Sequence, residues 1–162
     1  ATKLGAIVDD VQLKTVLGYI DSGRSEGAQL LAGGRQVRQE TGGCYVEPTV
    51  FDGVRPEMTI AREEIFGPVL AAITVRDAEE AVRVGNSVIY GLAAAVWTRD
   101  VTRAHRIARA LRAGVVYVNC YDADDITTPF GGFKQSGTGR DKSLHAFDKY
   151  TEMKATWINL GE

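Results

Sequence analysis

The feature that most constrains this chain is an alternation of short apolar runs with helical segments that carry their own caps. Three nearly continuous apolar runs are typical of strands buried on both faces. These runs are Val69–Val75, Ala93–Trp97 and Val115–Val118. Asp77 with Glu80 three residues later forms a capping-box pattern before the first intervening helix, and Asp100 caps the second. This order predicts β-α-β units, and therefore an α/β fold with a mainly parallel sheet covered by helices.

Further elements are expected on either side of these units. Apolar residues at helical spacing, preceded by two aspartates and followed by Gly23, predict an opening helix. Strands are expected at Ala28–Ala32 and Tyr45–Phe51, although a proline makes the second of these irregular. Near the end of the chain, Asp141–Phe147 predicts a short helix and Thr151–Leu160 a strand.

A long irregular segment, Asn119–Arg140, interrupts these elements and becomes dense in glycine. Loops of about 20 residues are rare in compact domains unless they have a function. The spacing excludes a P-loop, because Gly137 is followed by Thr138, and a dinucleotide fingerprint, because Lys142 stands where a small residue is required. Tight turns through left-handed backbone are the favoured interpretation of these glycines.

Composition narrows the function classes. The 19 basic and 21 acidic side chains give a formal net charge of −2, which removes the usual electrostatic argument for nucleic acid or an anionic membrane as a partner. No apolar run reaches the roughly 20 residues of a transmembrane helix, and Ala1–Leu4 shows no signal-peptide pattern. We therefore expect a cytoplasmic protein.

One short motif could carry chemistry. Glu63 and Glu64 directly precede Ile65, Phe66 and a Gly67–Pro68 turn that enters a predicted strand. A carboxylate accepts hydrogen bonds from two neighbouring hydroxyls, which suits the diol of a ribose. The alternative is an acidic turn that is merely solvated.

The cysteines and histidines give weaker signals. Cys44 and Cys120 are possible nucleophiles, but neither is next to a histidine, and we expect both to be structural core residues. His105 and His145 lack metal-ligand spacing and are expected at the surface, so the sequence predicts no metal site.

Together, these segments resemble the C-terminal third of the aldehyde dehydrogenase superfamily. Glu64–Pro68 is similar to the motif that binds the cofactor ribose in that family, and Pro129–Gly137 to its late glycine-rich signature. The segment Lys134–Ser143 is most similar to bacterial enzymes that act on γ-glutamyl-γ-aminobutyraldehyde and related amino-aldehydes. Three further segments also fit the family. They are Gly91–Ala94, Gly114–Asn119 and Tyr150–Lys154.

The resemblance implies a three-layer α/β/α architecture for part of a larger enzyme. Residues 1–150 would be the later portion of the catalytic domain and 151–162 a C-terminal oligomerisation strand that makes a homo-oligomer. An N-terminal cofactor domain would be absent from this chain. The family's nucleophilic cysteine and general-base glutamate precede the stretch that matches Ala1, so no catalytic residue is assigned here and the isolated chain is expected to be inactive.

The implied reaction is oxidation of an aldehyde to a carboxylic acid with NAD or NADP: a thiolate attacks, hydride passes to the nicotinamide and water releases the acid. Glu64 would bind the nicotinamide ribose and Phe66 would pack beside the nicotinamide. Phe130 would line the aldehyde tunnel, with Asp124 and Asp125 in its outer wall favouring an amino-aldehyde or, alternatively, serving as solvated loop acids. A non-catalytic binding or assembly module with the same fold is the alternative function.

Overall fold

A computed structural model describes residues 4–161. Ala1–Lys3, part of the segment considered for a signal peptide, and Glu162, part of the expected oligomerisation strand, lie outside the described residues. The chain divides into two compact units, Ala1–Val88 and Ile89–Glu162.

In the described part of the first unit, residues 4–88, there are three α-helices and five short strands. They are α1 (Asp10–Ser25), β1 (Gln29–Ala32), β2 (Gln36–Val37), β3 (Tyr45–Val46), β4 (Thr49–Asp52), α2 (Thr59–Arg62), β5 (Val69–Ala71) and α3 (Ala78–Gly85). A 3-10 turn covers Gln39–Thr41. Strand β4 lies at the centre of a three-stranded sheet, antiparallel to β1 and parallel to β5. Strands β2 and β3 form a separate antiparallel pair.

The opening helix forms, but it runs two residues past Gly23, where the sequence predicted its end, and it buries one face. Asp9 accepts a hydrogen bond from the backbone N–H of Gln12 as the N-cap, and the inward residues follow helical spacing. They are Leu13, Val16, Ile20 and Gly23. Phe51 of β4 and Met58 lie in the same core and are almost fully buried. This core supports the segment that connects α2 to β5.

The cap of α3 differs in one detail from the predicted capping box. The carboxylate of Asp77 accepts from the backbone N–H of Glu80, as expected. The Glu80 carboxylate, however, accepts from the backbone and guanidinium of Arg76. Those hydrogen bonds lower the pKa of Glu80 to about 2.

The second unit is a parallel β-α-β unit followed by irregular chain. Its elements are β6 (Ala93–Val96), α4 (Val101–Ala110), β7 (Val115–Val118) and the 3-10 helices Lys134–Ser136 and Leu144–Tyr150. Strands β6 and β7 pair in parallel, and Asp100 caps α4 by accepting from the backbone N–H of Arg103. Two parallel pairs in one chain confirm the α/β class.

Several boundaries differ from the sequence-based expectation. The strand expected at Tyr45–Phe51 is divided at Pro48 into β3 and β4, because proline lacks the N–H that a continuous ladder needs. The run expected at Val69–Val75 forms a strand only to Ala71, and Leu70 is 61% exposed rather than buried. The helix expected at Asp141–Phe147 begins three residues later, as a 3-10 helix.

The strand expected at Thr151–Leu160 is wrong for the chain as described. Residues 151–161 show no regular secondary structure and are exposed throughout. A strand is defined by its hydrogen-bonded neighbour, and no described segment of this chain pairs with the tail.

No helix within residues 4–161 is both long and apolar enough to cross a membrane.

Candidate functional site

The segment between α2 and β5 is fixed at two of its positions. The phenol of Tyr19 on α1 donates to the Glu63 carboxylate at 2.9 Å. Ile65 is 8% exposed and belongs to the core of the first unit. One acid of the pair is therefore held by a specific partner, and the residue after the second acid anchors the segment to the core.

The aromatic residue of this turn sits on constrained backbone. Phe66 has φ +54°, a region that bulky side chains rarely adopt, and its ring is 77% exposed. The side-chain amide of Gln12 donates to the carbonyl oxygens of Ile65 and Phe66, at 3.1 Å each. A Cβ on Gly67 would lie 2.5 Å from a methyl group of Val16, so only glycine lets α1 approach this closely. Helix α1 thus holds a strained turn in place, a combination common at ligand sites.

Glu64 and Phe66 point outward from this turn. Ile65 is buried between them, while Glu64 is exposed and carries a carboxylate available to accept hydrogen bonds. An exposed acceptor and an exposed ring, two residues apart on a fixed turn, fit a ribose diol and the flat ring system attached to it. The turn therefore presents the two side chains that the sequence analysis expected to face the cofactor.

The second unit contains a hydrogen-bonded network at the predicted tunnel wall. Tyr117 is buried, and its phenol donates to Asp124 Oδ1 at 2.6 Å. The ammonium group of Lys142 donates to Asp124 Oδ2 at 3.0 Å. The bonds from Tyr117 and then Lys142 hold the pKa of Asp124 below its usual value, and the Asp124 carboxylate raises the pKa of Tyr117 to about 12. Asp124 is therefore an ionised group with two internal partners.

Asp125 has a different environment from its neighbour. Its Oδ1 accepts from the backbone N–H and the hydroxyl of Thr127, at 2.8 and 2.5 Å. Those bonds lower the pKa of Asp125, and the side chain is exposed. Asp125 therefore presents a negative charge at the surface.

Phe130 contacts the segment around Lys142 through both its backbone and its ring. Its backbone exchanges two hydrogen bonds with Asp141, at 2.8 and 2.7 Å. The Lys142 ammonium lies 5.5 Å from the centre of the Phe130 ring. Lys142 thus touches Asp124 and lies over Phe130, two residues that sequence reasoning assigned to substrate.

The glycine-rich segment is explained mainly by close packing. A Cβ on Gly114 would lie 1.7 Å from the carbonyl oxygen of Gly131, so β7 begins directly against this segment. The Arg140 guanidinium donates to the carbonyl oxygens of residues 132, 138 and 139. Of the four glycines between residues 131 and 139, only Gly137 has positive φ. The expected left-handed turns are therefore correct at one position and wrong at the others.

The two cysteines differ from one another. Cys44 packs against the first core and donates to Asp10 at 3.1 Å, which raises the pKa of its thiol and opposes nucleophilic reactivity. Cys120 is exposed, so its expected place in the core is wrong. His105 and His145 are exposed, as expected. Across residues 4–161, no three side chains of the metal-binding types come together.

The predicted site residues thus form two groups. Glu64 and Phe66 share one turn of the first unit, and Asp124, Asp125 and Phe130 share one loop region of the second. Sequence reasoning missed the residues that support each group. They are Gln12, Tyr19, Tyr117 and Lys142. Tyr117 alone left a signal, since a phenol within a buried apolar run requires a hydrogen-bonding partner.

Comparison with known proteins places these features in a family. Residues 1–156 match the model of the "Aldehyde dehydrogenase family". The chain is 49% identical over 160 residues to "NADP/NAD-dependent aldehyde dehydrogenase PuuC" of Escherichia coli (strain K12), covering 99% of this chain and 32% of that protein.

Solved structures give the same result. An indole-3-acetaldehyde dehydrogenase complexed with NAD+ superposes with a TM-score of 0.94 at 65% identity, covering 99% of this chain and 32% of that one. A γ-glutamyl-γ-aminobutyraldehyde dehydrogenase from Burkholderia cenocepacia J2315 gives 0.92 at 61% identity, covering 98% and 32%. The present chain spans about a third of the length of these relatives. It has the α/β fold of the corresponding part of those enzymes and belongs to the aldehyde dehydrogenase family.

Proposed function

We propose that this chain is the later part of an enzyme that oxidises an aldehyde to a carboxylic acid with NAD or NADP. The observation that carries the proposal is the fixed turn with Glu64 and Phe66 exposed on either side of the buried Ile65. The relatives support it, because PuuC is an NADP/NAD-dependent aldehyde dehydrogenase and the similar indole-3-acetaldehyde dehydrogenase was solved as a complex with NAD+.

The turn contributes positioning rather than bond making. Glu64 would accept hydrogen bonds from the two ribose hydroxyls, and Phe66 would pack against the nicotinamide end. The cofactor, when bound, supplies the hydride acceptor. The held backbone at Ile65 and Phe66 limits how far the two side chains can move, and such restriction is what orients reactants. The nucleophile and general base are assigned to no residue of this chain.

For the substrate, an amino-aldehyde is the first candidate. One of the similar solved structures is a γ-glutamyl-γ-aminobutyraldehyde dehydrogenase. In addition, the exposed Asp125 carboxylate would attract an ammonium group near the aldehyde tunnel. A neutral aldehyde is the second candidate. Asp124 is already paired with Lys142, and another neighbour is an indole-3-acetaldehyde dehydrogenase.

Turnover by the full-length protein tests the proposal. With NAD or NADP and a panel of amino-, aliphatic and aromatic aldehydes, we expect reduced cofactor to form in proportion to the aldehyde consumed. The 162-residue chain alone should form none above a buffer blank.

Two results would contradict this view. A full-length protein that turns over no aldehyde would favour the non-catalytic module. Turnover by the isolated chain that Cys44→Ser or Cys120→Ser abolishes would place the nucleophile within these 162 residues.

We also propose that the tail from residue 151 onward mediates homo-oligomerisation. Met153, Trp157 and Leu160 are at least 91% exposed, which places large apolar side chains in water unless another chain covers them.

Light scattering of the full-length protein should show an oligomer that dissociates when Trp157 and Leu160 are replaced by serine. Leu144→Ser is the matched control, since Leu144 is 82% exposed but lies outside the tail, and it should leave the mass unchanged. A monomer in every case would contradict an assembly role.

A further inference from the structure

The ion pair between Lys142 and Asp124 is more enclosed than the two other acid–base contacts described for the second unit, Lys149–Asp141 and His145–Asp148. The side chains of Lys142 and Asp124 are 32% and 16% exposed, whereas those of Lys149 and Asp141 are 40% and 68% exposed. The buried Tyr117 phenol holds the other carboxylate oxygen at 2.6 Å. Asp124 therefore has one fixed orientation, and the ammonium group beside it cancels its charge.

Lys142 also occupies an unusual backbone position. It has φ +59° and the next residue, Ser143, has φ +53°. The backbone N–H of Ser143 donates to the carbonyl of Ile126 at 2.7 Å, which connects this strained pair to the loop after Asp125. The lysine side chain is thereby directed between Asp124 and the Phe130 ring.

A purely structural role would require only that Lys142 tie two loops together. In that case a substitution of Lys142 would change kcat/KM by the same factor for a charged aldehyde and for a neutral one. The position of the pair argues for more, because Asp124 directly precedes Asp125 in the chain and Lys142 lies over the Phe130 ring. Asp125 and Phe130 are both proposed to face the aldehyde.

We propose that Lys142 is a specificity-determining residue, which acts by neutralising Asp124 and so sets how strongly the tunnel wall attracts a positively charged aldehyde. This inference rests on the proposed function. Removing the ammonium would leave the Asp124 carboxylate uncompensated and favour ω-amino-aldehydes. Removing the carboxylate would leave an uncompensated ammonium and disfavour them.

The test is the ratio of kcat/KM for an ω-amino-aldehyde to that for a neutral aldehyde of equal length, in the full-length enzyme at low salt. Lys142→Met should raise this ratio about fivefold, and Asp124→Asn should lower it by a similar factor, as expected for a partly exposed charge. The double variant should return close to the wild-type ratio. Lys142→Arg keeps the positive charge and should therefore keep the wild-type ratio. Raising the salt concentration should bring the ratio of every variant closer to that of wild type.

The outcomes separate the two levels of the proposal. A wild-type enzyme that oxidises neither aldehyde contradicts the proposed function and this inference with it. Normal turnover with the same ratio in Lys142→Met and Asp124→Asn contradicts the inference alone. An equal loss of kcat/KM for both aldehydes in Lys142→Met, with no change in the ratio, would contradict the inference and show that Lys142 only connects two loops.

Discussion

Replacing Phe51 with alanine should lower the free energy of unfolding of the chain by about 3–5 kcal/mol. Phe51 is fully buried at the centre of the first core, where truncation removes apolar contacts and leaves a cavity that the sheet cannot close. A Cβ on Gly23 of α1 would lie 3.1 Å from a carbon of the Phe51 ring, so α1 packs directly against this ring. Urea unfolding followed by circular dichroism measures the loss.

The matched control is Phe147→Ala. Phe147 is 63% exposed, and its removal should change the free energy of unfolding by no more than about 0.5 kcal/mol. Equal effects for the two variants would contradict the placement of the core. Since Phe51 pairs with Ala71 on β5 and Ile65 belongs to the same core, the Phe51 variant should also loosen the turn that carries Glu64.

Local patterns in the sequence predicted the elements that depend on near neighbours. The caps of α3 and α4 at Asp77 and Asp100 form as expected, because a carboxylate three residues before a backbone N–H needs nothing else to bond it. The inward face of α1 follows from helical spacing for the same reason. The family motifs likewise marked Glu64 and Phe66 as site candidates.

Long-range contacts could not be predicted in this way. Gln12 and Tyr19 reach the Glu63–Phe66 turn across separations of 44 to 54 residues, and nothing in the local sequence of α1 identifies them. Lys142 pairs with a residue 18 positions earlier, through a backbone conformation that its own residue type disfavours. These contacts depend on the tertiary arrangement, which also determines that Gly114 must face Gly131.

The tail illustrates a different limit. Its apolar residues predicted a strand, yet residues 151–161 are irregular and exposed. Apolar composition makes a segment suitable for a strand, but a strand forms only where the edge of another strand is available for pairing.

Replacing Glu64 with glutamine should slow the chemical step of the full-length enzyme. The amide keeps one acceptor but loses the charge that strengthens bonds to the ribose diol, a loss of about 1–2 kcal/mol in positioning. We therefore expect kcat at saturating cofactor to fall about 5- to 30-fold, with a smaller change in the dissociation constant of the cofactor. A kinetic isotope effect with a deuterated aldehyde should increase, because hydride transfer becomes more rate-limiting.

Glu63 offers a control from the same turn. Its carboxylate accepts a bond from Tyr19, which an amide oxygen can also accept, so Glu63→Gln should keep kcat within about twofold of wild type.

The direct test of the central claim, that this turn orients the cofactor, is kcat under cofactor saturation for wild type, Glu64→Gln and Glu63→Gln. The account predicts a 5- to 30-fold loss for Glu64→Gln alone. An unchanged kcat in Glu64→Gln, or equal losses in both variants, would contradict it.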